Sequence, residues 1–327
     1  METSQSCKEH SSGNEEQEQE VAGLPHEALF LVLPYLPLLE LLVMSEVCMP
    51  LKDAVKKDIL PWLNIIVERP LNLRFSDEIL MKVASKANGR LKTLALINCA
   101  RITDNGLQRV IDENPLINKL HIPGCTALTP DGVISAVQKL CQHPHHSLKS
   151  IQINGIYNMK KEHLETLHSY LLTNQKQQQV QRKQKPVLYH NYSKFQGYRW
   201  EELGRIVDVE ICPKCNEVRM VFDCPREECR RKKRDQQNCS LTDCRMCKFC
   251  IPRCEECGRC VQLGEMEEAV CADTLCSDCW ILLSKCSFCN KPCCWQHTNL
   301  QVSSVGSSGW ICCVCHDKFL SSDDVEH

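Results

Sequence analysis

The sequence predicts a multidomain α+β protein. It has a module of three short N-terminal helices, a stack of strand–turn–helix repeats of α/β character, and a C-terminal cysteine-rich region organised by metal ions. Three observations predict this architecture. Leucines recur at helical spacing near the N-terminus, a strand pattern recurs after 26 positions in the middle of the chain, and 21 of the 26 cysteines lie between Cys212 and Cys315. A length of 327 residues fits two or three domains.

Changes in composition predict where the parts begin and end. The expected segments are an acidic disordered tail (1–20), the helical module (21–62), the repeats (63–172), a Gln/Lys-rich linker (173–204), the cysteine-rich region (205–316) and a polar tail (317–327). The N-terminus lacks the basic start and apolar run of a secretory signal. The longest apolar stretch, 29–43, is interrupted by Pro34, Pro37 and Glu40, so we expect no membrane span.

The helical module begins at Leu24-Pro25, because a proline in the first turn of a helix loses no hydrogen bond. A second helix is expected from Pro37, and a third ends before Trp62. Three short helices carry more apolar surface than they can bury among themselves. This composition is typical of a module that docks on a partner protein.

The middle of the chain contains an internal repeat. The segment Leu91-x2-Leu94-x-Leu96-x2-Cys99 recurs as Ile117-x2-Leu120-x-Ile122-x2-Cys125, and again from Leu148 to Ile156. Each copy predicts a strand, a turn and a helix, which is the pattern of leucine-rich repeats in their cysteine-containing form. The alternative is an ordinary domain of alternating strands and helices. The strand residues between the apolar positions are expected to point outward: Thr93, Ala95, Lys119, His121, Ser150 and Gln152.

The C-terminal cysteines occur mostly as Cys-x-x-Cys pairs, a spacing at which two thiolates can chelate one tetrahedral zinc ion. A disulfide framework is the alternative, and it would require an oxidising compartment. We predict three or more zinc ions, with metal supplying much of the folding free energy of this region. The predicted ligands are Cys212, Cys215, Cys247, Cys250, Cys257, Cys260, Cys276, Cys279, Cys286, Cys289, Cys294, His297, Cys312 and Cys315.

The spacing leaves the partition of these ligands open. The four central pairs, from Cys247 to Cys289, can bind two zinc ions consecutively or interleaved, and their six-residue gaps favour the interleaved arrangement. The Cys294-x2-His297 pair is expected to join Cys312 and Cys315. A further site would draw on the segment 212–244. On this partition four cysteines have no assigned site: Cys254, Cys271, Cys293 and Cys313.

The N-terminal pattern from Leu24-Pro25 through Leu36-Pro37-Leu38 to Val47-Cys48 resembles an F-box. Followed by leucine-rich repeats and a cysteine-rich C-terminus, it is similar to the plant F-box proteins of the Skp-interacting-partner group. The resemblance implies a non-catalytic subunit of a ubiquitin ligase, in the nucleus or cytoplasm. Its F-box would bind a Skp-type adaptor and, through it, cullin and a RING subunit, while the repeats or zinc region would bind an unknown target protein. The implied adaptor contacts are Leu24, Pro25, Glu27, Leu29, Leu33, Leu36, Pro37, Leu41 and Leu42.

Two other functions fit the sequence less well. A self-sufficient RING-type ligase needs a longer gap between its first two ligand pairs than the six residues between Cys250 and Cys257. A zinc-dependent nucleic-acid-binding or chromatin-associated protein could use the basic run 230–234, although the net charge of −2 disfavours general nucleic-acid binding. If the protein is a receptor, we expect aromatic anchors of the zinc region to supply most substrate contact: Trp280, Phe288, Trp295 and Trp310. The alternative is that these aromatic side chains fill the small cores of the zinc region.

Overall fold

A computed structural model of the chain describes residues 26–144, 148–173, 186–189, 205–229, 244–303 and 309–322. These residues form a mixed helix-and-sheet fold with a cysteine-rich C-terminal part. The expected tail 1–20, most of the linker 173–204 and the basic run 230–234 lie outside the described residues. In the part of the chain that is described, no helix combines the length and apolar character needed to cross a bilayer.

Three N-terminal helices pack around a small core. They are α1 (Ala28–Val32), α2 (Leu38–Val47) and α3 (Met49–Lys57), with a 3-10 turn at Leu33–Tyr35. Leucines 33, 38, 41 and 51 are buried between them. Trp62 closes the bottom of this core: it is 2% exposed, and its indole N–H donates to the Val55 carbonyl at 2.8 Å. The core therefore continues from the helices into the sheet that follows.

The middle of the chain is a stack of strand–helix units. Its strands are β1 (Asn64–Val67), β2 (Thr93–Leu96), β3 (Lys119–His121) and β4 (Ser150–Gln152), and they form a parallel sheet in sequence order. The helices between and after them are α4 (Asp77–Ala84), α5 (Asp104–Glu113), α6 (Pro130–Gln142) and α7 (Lys161–Thr173). Leu94, Leu120 and Ile151 lie side by side in the register and are buried. Equivalent positions of successive units thus build one continuous core.

Two of the strand residues expected to point outward are buried. Ala95 is 1% exposed and His121 is 5% exposed. The two residues are neighbours in the parallel register, and the His121 Nε2 lies 3.1 Å from the Ser150 hydroxyl on the next strand. The expectation was wrong at these positions because side chains of adjacent short strands cover one another, so alternation along one strand does not decide exposure.

A carboxylate ladder joins successive helices. Asp104, in the first turn of α5, accepts hydrogen bonds from the backbone N–H (2.9 Å) and hydroxyl (2.6 Å) of Thr129. Thr129 is the N-cap of α6 and accepts from the Gly132 N–H. Asp77 makes the same two bonds to Thr103, the N-cap of α5. The side chain that begins one helix therefore holds the N-terminus of the next.

We expect Gly132→Ala to destabilise the protein by about 1–3 kcal/mol, although alanine normally favours a helix over glycine by about 1 kcal/mol. A Cβ at Gly132 would collide with the Asp104 carboxylate. Urea denaturation measures the effect. Gly264→Ala is the control, because a Cβ there meets no atom within 4 Å. An increase in stability of Gly132→Ala would contradict this prediction, because it would show that the Asp104 side chain moves aside at no cost.

The described residues of the cysteine-rich region include three small antiparallel hairpins and two helices. The strands are β5 (Glu210–Ile211), β6 (Val218–Arg219), β7 (Met266–Glu268), β8 (Thr274–Cys276), β9 (Gln301–Ser303) and β10 (Trp310–Cys312). Helix α8 (Ser277–Leu282) follows β8, and α9 (Cys313–Ser322) follows β10. Each helix therefore begins directly after a strand that ends in cysteine.

The start of the cysteine-rich region is docked on the last strand of the stack. Ile151 donates its backbone N–H to the Ile206 carbonyl at 2.7 Å. The buried Asp208 carboxylate accepts from the N–H groups of Ile153 (2.8 Å) and Asn154 (3.1 Å). Burial raises the pKa of Asp208 to about 6, and these backbone bonds partly oppose the rise. The stack and the cysteine-rich region are therefore joined by specific bonds at this edge.

Asp208→Ala is expected to cost about 1–3 kcal/mol, since it leaves two buried N–H donors without their acceptor. The amides of Ile153 and Asn154 should exchange with solvent faster than in the natural chain, as measured by hydrogen exchange. Asp112→Ala is the control, because Asp112 forms an exposed ion pair with Lys139 and such pairs contribute about 0–1 kcal/mol. Equal effects of the two substitutions would contradict the prediction.

Candidate metal centres and an exposed apolar helical face

Three Cys-x-x-Cys pairs adopt the same turn. In each, the N–H of the residue after the second cysteine donates to the carbonyl of the first, and the N–H of the first cysteine donates to a carbonyl five residues on. The residue after the second cysteine has positive φ: 57° at Asn216, 73° at Gly258 and 53° at Asn290. Asparagine and glycine tolerate this left-handed conformation best. The pairs in these turns are Cys212/Cys215, Cys254/Cys257 and Cys286/Cys289.

Four groups of four cysteines lie together among the described residues, and the ligand atoms of each group are within 4.8 Å of one another. The groups are Cys212, Cys215, Cys247 and Cys250; Cys224, Cys229, Cys244 and Cys260; Cys254, Cys257, Cys276 and Cys279; and Cys286, Cys289, Cys312 and Cys315. Three of them combine one of the turns above with a second pair from a later segment. Two such pairs supply a complete set of four sulfur ligands.

The sulfur separations fit a tetrahedral metal site. With metal–sulfur bonds of about 2.3 Å, the edge of the sulfur tetrahedron is about 3.8 Å. The Sγ atoms of Cys212 and Cys250 are 3.8 Å apart, and those of Cys224 and Cys260 are 3.6 Å apart. The remaining groups give 3.8 Å between Cys257 and Cys276 and 3.9 Å between Cys289 and Cys312. All four groups can therefore enclose a metal ion with little rearrangement.

Hydrogen bonds donated to the sulfur atoms support the thiolate form of the ligands. The backbone N–H of Cys260 points at the Cys224 Sγ (3.4 Å), and that of Cys312 points at the Cys286 Sγ (3.2 Å). The pKa of Cys257 is lowered to about 4, first by its hydrogen bond with Cys254 and then by other donors that include Arg259. Such donors stabilise negative sulfur and orient it toward a metal.

A fifth group has mixed ligands. Cys271, Asp273, Cys294 and His297 bring two sulfurs, a carboxylate oxygen and an imidazole nitrogen within 4.8 Å of one another. Asp273 Oδ2 lies 2.9 Å from His297 Nδ1 and 3.0 Å from Cys294 Sγ. Sulfur, nitrogen and oxygen of these residue types are all ordinary zinc ligands.

The structure divides the predicted ligands differently from the interleaved arrangement. Cys247 and Cys250 lie with Cys212 and Cys215, not with Cys276 and Cys279. Cys276 and Cys279 lie with Cys254 and Cys257, and Cys286 and Cys289 lie with Cys312 and Cys315. Interleaving is therefore wrong for this chain, because no two of the four central pairs share a group as intact pairs.

Two of the expected pairs also separate. Cys257 and Cys260 enter different groups, since Gly258 allows the turn that joins Cys257 to Cys254 instead. Cys294 and His297 lie with Cys271 and Asp273 rather than with Cys312 and Cys315. Cys254 and Cys271, which had no predicted site, therefore belong to ligand groups, and so does Asp273. The glycine directly after Cys257 was the available signal for the Cys254/Cys257 turn.

The expected aromatic anchors are partly engaged within the region. The indole N–H groups of Trp280, Trp295 and Trp310 donate to Glu268, Glu255 and Ser284, respectively, at 3.2–3.3 Å. Phe288 packs on Phe319 with ring centroids 4.2 Å apart. All three tryptophans are half-buried. These side chains therefore help to hold the small hairpins together.

The N-terminal helices present an exposed apolar face. Tyr35 is 80% exposed, Leu31 74%, Met49 69% and Val47 65%. Their neighbours Val32, Leu42 and Val43 are also exposed. Large apolar side chains exposed in this number on three short helices indicate a protein–protein contact.

Sequence-predicted adaptor residues divide between this face and the interior. Glu27, Leu29 and Leu42 are exposed, while Leu36 and Pro37 are half-buried. Leu24 and Pro25 lie outside the described residues. Leu33 and Leu41 are each 2% exposed and pack inside the chain's own core. These two side chains are therefore not accessible for direct contact with a partner. They support the face from beneath.

Comparison with known proteins agrees with this organisation. Residues 208–288 match the family model described as the At3g27290 F-box protein C-terminal domain. The chain is 40% identical to F-box protein SKIP28 of Arabidopsis thaliana over 87% of its own length and 86% of that protein's. It is 35% identical to F-box protein SKIP14 of the same plant over 78% of its own length and 54% of that protein's.

A third Arabidopsis thaliana relative, F-box protein At3g27290, is 36% identical over 72% of the chain and 60% of its own length. The matched segment 208–288 contains residues of all five ligand groups, so the cysteine-rich region is part of the likeness. A relative that is 40% identical over nearly all of both chains shows the family. The chain therefore belongs to the F-box proteins, in the group that includes Arabidopsis SKIP28, SKIP14 and At3g27290.

Proposed function

We propose that the protein is the substrate-recognition subunit of an SCF (Skp–cullin–F-box) ubiquitin ligase and works in the nucleus or cytoplasm. The observation that carries this proposal is the exposed apolar face of the N-terminal helices in a chain that belongs to the F-box proteins. Two relatives carry SKIP names, for Skp-interacting partner. A Skp-type adaptor is accordingly the partner proposed for this face.

In this proposal the three N-terminal helices are the F-box. Their buried leucines keep α2 and α3 together, and the exposed side chains of α1 and α2 contact the adaptor. The principal contacts proposed are Leu29, Leu31, Val32, Tyr35, Leu42, Val43, Val47 and Met49. Leu24 and Pro25, which lie outside the described residues, are proposed adaptor contacts as well.

The strand–helix stack is proposed to be a short leucine-rich-repeat domain. It carries the cysteine-rich region at its far end, where Asp208 and the Ile151–Ile206 bond attach it. A stack with one continuous core holds its two ends at a defined separation. The proposed role of the stack is therefore to set the distance between the adaptor and the bound target.

The cysteine-rich region is proposed to bind zinc and to provide most of the substrate contact. Sulfur-only tetrahedra suit zinc, and the sulfur separations support this choice. Among its aromatic side chains, Phe249 is 71% exposed and lies under the Arg219 guanidinium, 4.5 Å from the ring centroid. Phe249 is a better candidate anchor than the tryptophans, because their indole groups are already bonded within the region.

No chemical step is assigned to the chain itself. As a receptor it would raise the rate of ubiquitin transfer by holding a target lysine near the conjugating enzyme, which is a proximity effect. The catalytic groups would belong to the conjugating enzyme that the RING subunit binds.

Reconstitution tests the proposal directly. The full chain, expressed with zinc under reducing conditions, is mixed with a purified Skp-type adaptor, cullin and RING subunit and applied to size-exclusion chromatography. We expect one complex that contains all four proteins. Absence of adaptor binding at micromolar concentration would refute the SCF assignment.

A further inference from the structure

The group of mixed ligands, Cys271, Asp273, Cys294 and His297, differs from the four sulfur groups in both chemistry and surroundings. We propose that it is a fifth metal site in which Asp273 is an exchangeable ligand, so that an imidazole or thiolate donor can reach the metal from an adjoining cavity. The proposal concerns this site alone and does not depend on which partner the N-terminal helices bind.

The donor atoms are already close to a coordination arrangement. Cys294 Sγ is 3.5 Å from Cys271 Sγ and 3.2 Å from His297 Nδ1. In a tetrahedral zinc site the edges between such atoms are about 3.3–3.8 Å. The donors must separate by only a few tenths of an ångström to admit an ion. The shortest separations are those made by Asp273 Oδ2, at 2.9 Å and 3.0 Å, so this ligand has most to move.

Burial distinguishes the four ligands. Cys294 is fully buried, whereas the side chains of Asp273 and His297 are 28% and 41% exposed. Thiolates and imidazole are softer donors than a carboxylate and suit zinc better. The carboxylate is therefore both a less favoured donor for this metal and one that solvent can reach.

Asp273 also lines a cavity of about 730 Å³ between the stack and the cysteine-rich region. Glu255, Gln296, Tyr157 and Phe249 also line this cavity. The Tyr189 hydroxyl donates to Glu255 and holds that side chain in the lining. A volume of several hundred Å³ is typical of sites that take a small molecule or a protruding side chain. A donor entering this cavity would meet the metal on its Asp273 side.

The exchange needs no redox chemistry. With a metal bound, an incoming imidazole nitrogen or thiolate sulfur would donate its lone pair to the metal in place of the Asp273 oxygen. Asp273 would remain a carboxylate, exposed to solvent. Zinc sites with three protein ligands and one replaceable position are well known in metalloproteins.

Cobalt substitution of the full chain tests the proposal, with free imidazole as the probe. We expect five metal ions per chain, and a change in the visible cobalt spectrum on adding millimolar imidazole that corresponds to one site. Asp273→Cys should keep five ions and lose the response, because a thiolate closes the site. Asp278→Asn is the matched control, since Asp278 is an exposed carboxylate bonded to Arg259 and outside every group, and it should respond as the natural chain does.

A second measurement needs no variant. One of the five ions should transfer to a chromogenic chelator at least about tenfold faster than the others, and imidazole should change the rate of that ion alone. Four ions per chain, or five that transfer at one rate with no spectral response to imidazole, would overturn the proposal. A response that persists in Asp273→Cys would show that Asp273 is not the exchangeable ligand.

Discussion

Removing the metal ions is expected to unfold the cysteine-rich region from Glu210 onward while the strand–helix stack stays folded. Three buried clusters of this region consist largely of cysteines, with few apolar neighbours such as Val221, Val261 and Leu275, while Met220 and Phe222 pack into the core of the stack. Structural zinc contributes on the order of 10 kcal/mol or more per site in small zinc peptides. The stack instead has a continuous apolar core and needs no metal.

A single ligand substitution should reproduce part of this effect. Cys260→Ser removes one ligand of the Cys224 group, and we expect the loss of one metal ion per chain together with local unfolding. Cys293→Ser is the control, because Cys293 is a buried cysteine that belongs to none of the described groups. Elemental analysis and hydrogen exchange under reducing conditions measure both outcomes. Retention of the full metal count by Cys260→Ser, or a chelator-treated region that keeps its amide protection, would contradict the prediction.

Replacing two exposed valines of α2 is expected to abolish adaptor binding without unfolding the protein. Val43 and Val47 are 57% and 65% exposed and lie one helical turn apart on the apolar face. Aspartate at both positions would bury charge against the adaptor. Truncation of interface hot spots costs about 2 kcal/mol or more each, so the double variant should lose affinity by at least about 100-fold.

The control for this variant is Leu73→Asp. Leu73 is 65% exposed and lies between β1 and α4 in the sequence, outside the three N-terminal helices. Isothermal titration calorimetry with the purified adaptor gives the affinities, and thermal unfolding shows whether either variant is damaged. Equal loss of affinity in both variants, or none in the valine variant, would place the adaptor contact elsewhere.

The repeat spacing was sufficient to locate the strand–helix stack. The strands begin two residues after Leu91, Ile117 and Leu148, because the repeated apolar residues must enter one core. The exposure of Ala95 and His121 could not be predicted in the same way. It depends on neighbours in adjacent strands, which a pattern along one strand does not contain.

The cysteine pairs likewise predicted metal sites but not their partition. Cys212 and Cys250 are 38 residues apart, and only the folded chain shows that they meet. The six-residue gaps between the central pairs favoured the interleaved arrangement, while the left-handed turn at Gly258 selects the Cys254/Cys257 pair. No spacing pattern in the sequence marks Asp273 as a metal ligand, so its membership of a ligand group could be found only from the structure.

The helical module shows a similar limit. Leucine spacing identifies helices whose surface is apolar on more than one side, yet it does not say which leucines face inward. Leu33 and Leu41 turn out to be the interior ones, and Leu42 is an exposed one. When a helix is apolar on both its internal side and its partner-facing side, leucine spacing alone does not distinguish the buried leucines from the exposed ones.

The location of adaptor binding is the most direct test of the proposed receptor function. Hydrogen exchange of the full zinc-loaded chain is measured with and without a saturating Skp-type adaptor. Protection on binding is expected for residues 28–57, with the amides of β1–β4 and of the cysteine-rich region unchanged. Protection that appears only in the cysteine-rich region, or no protection at all at saturation, would contradict the account.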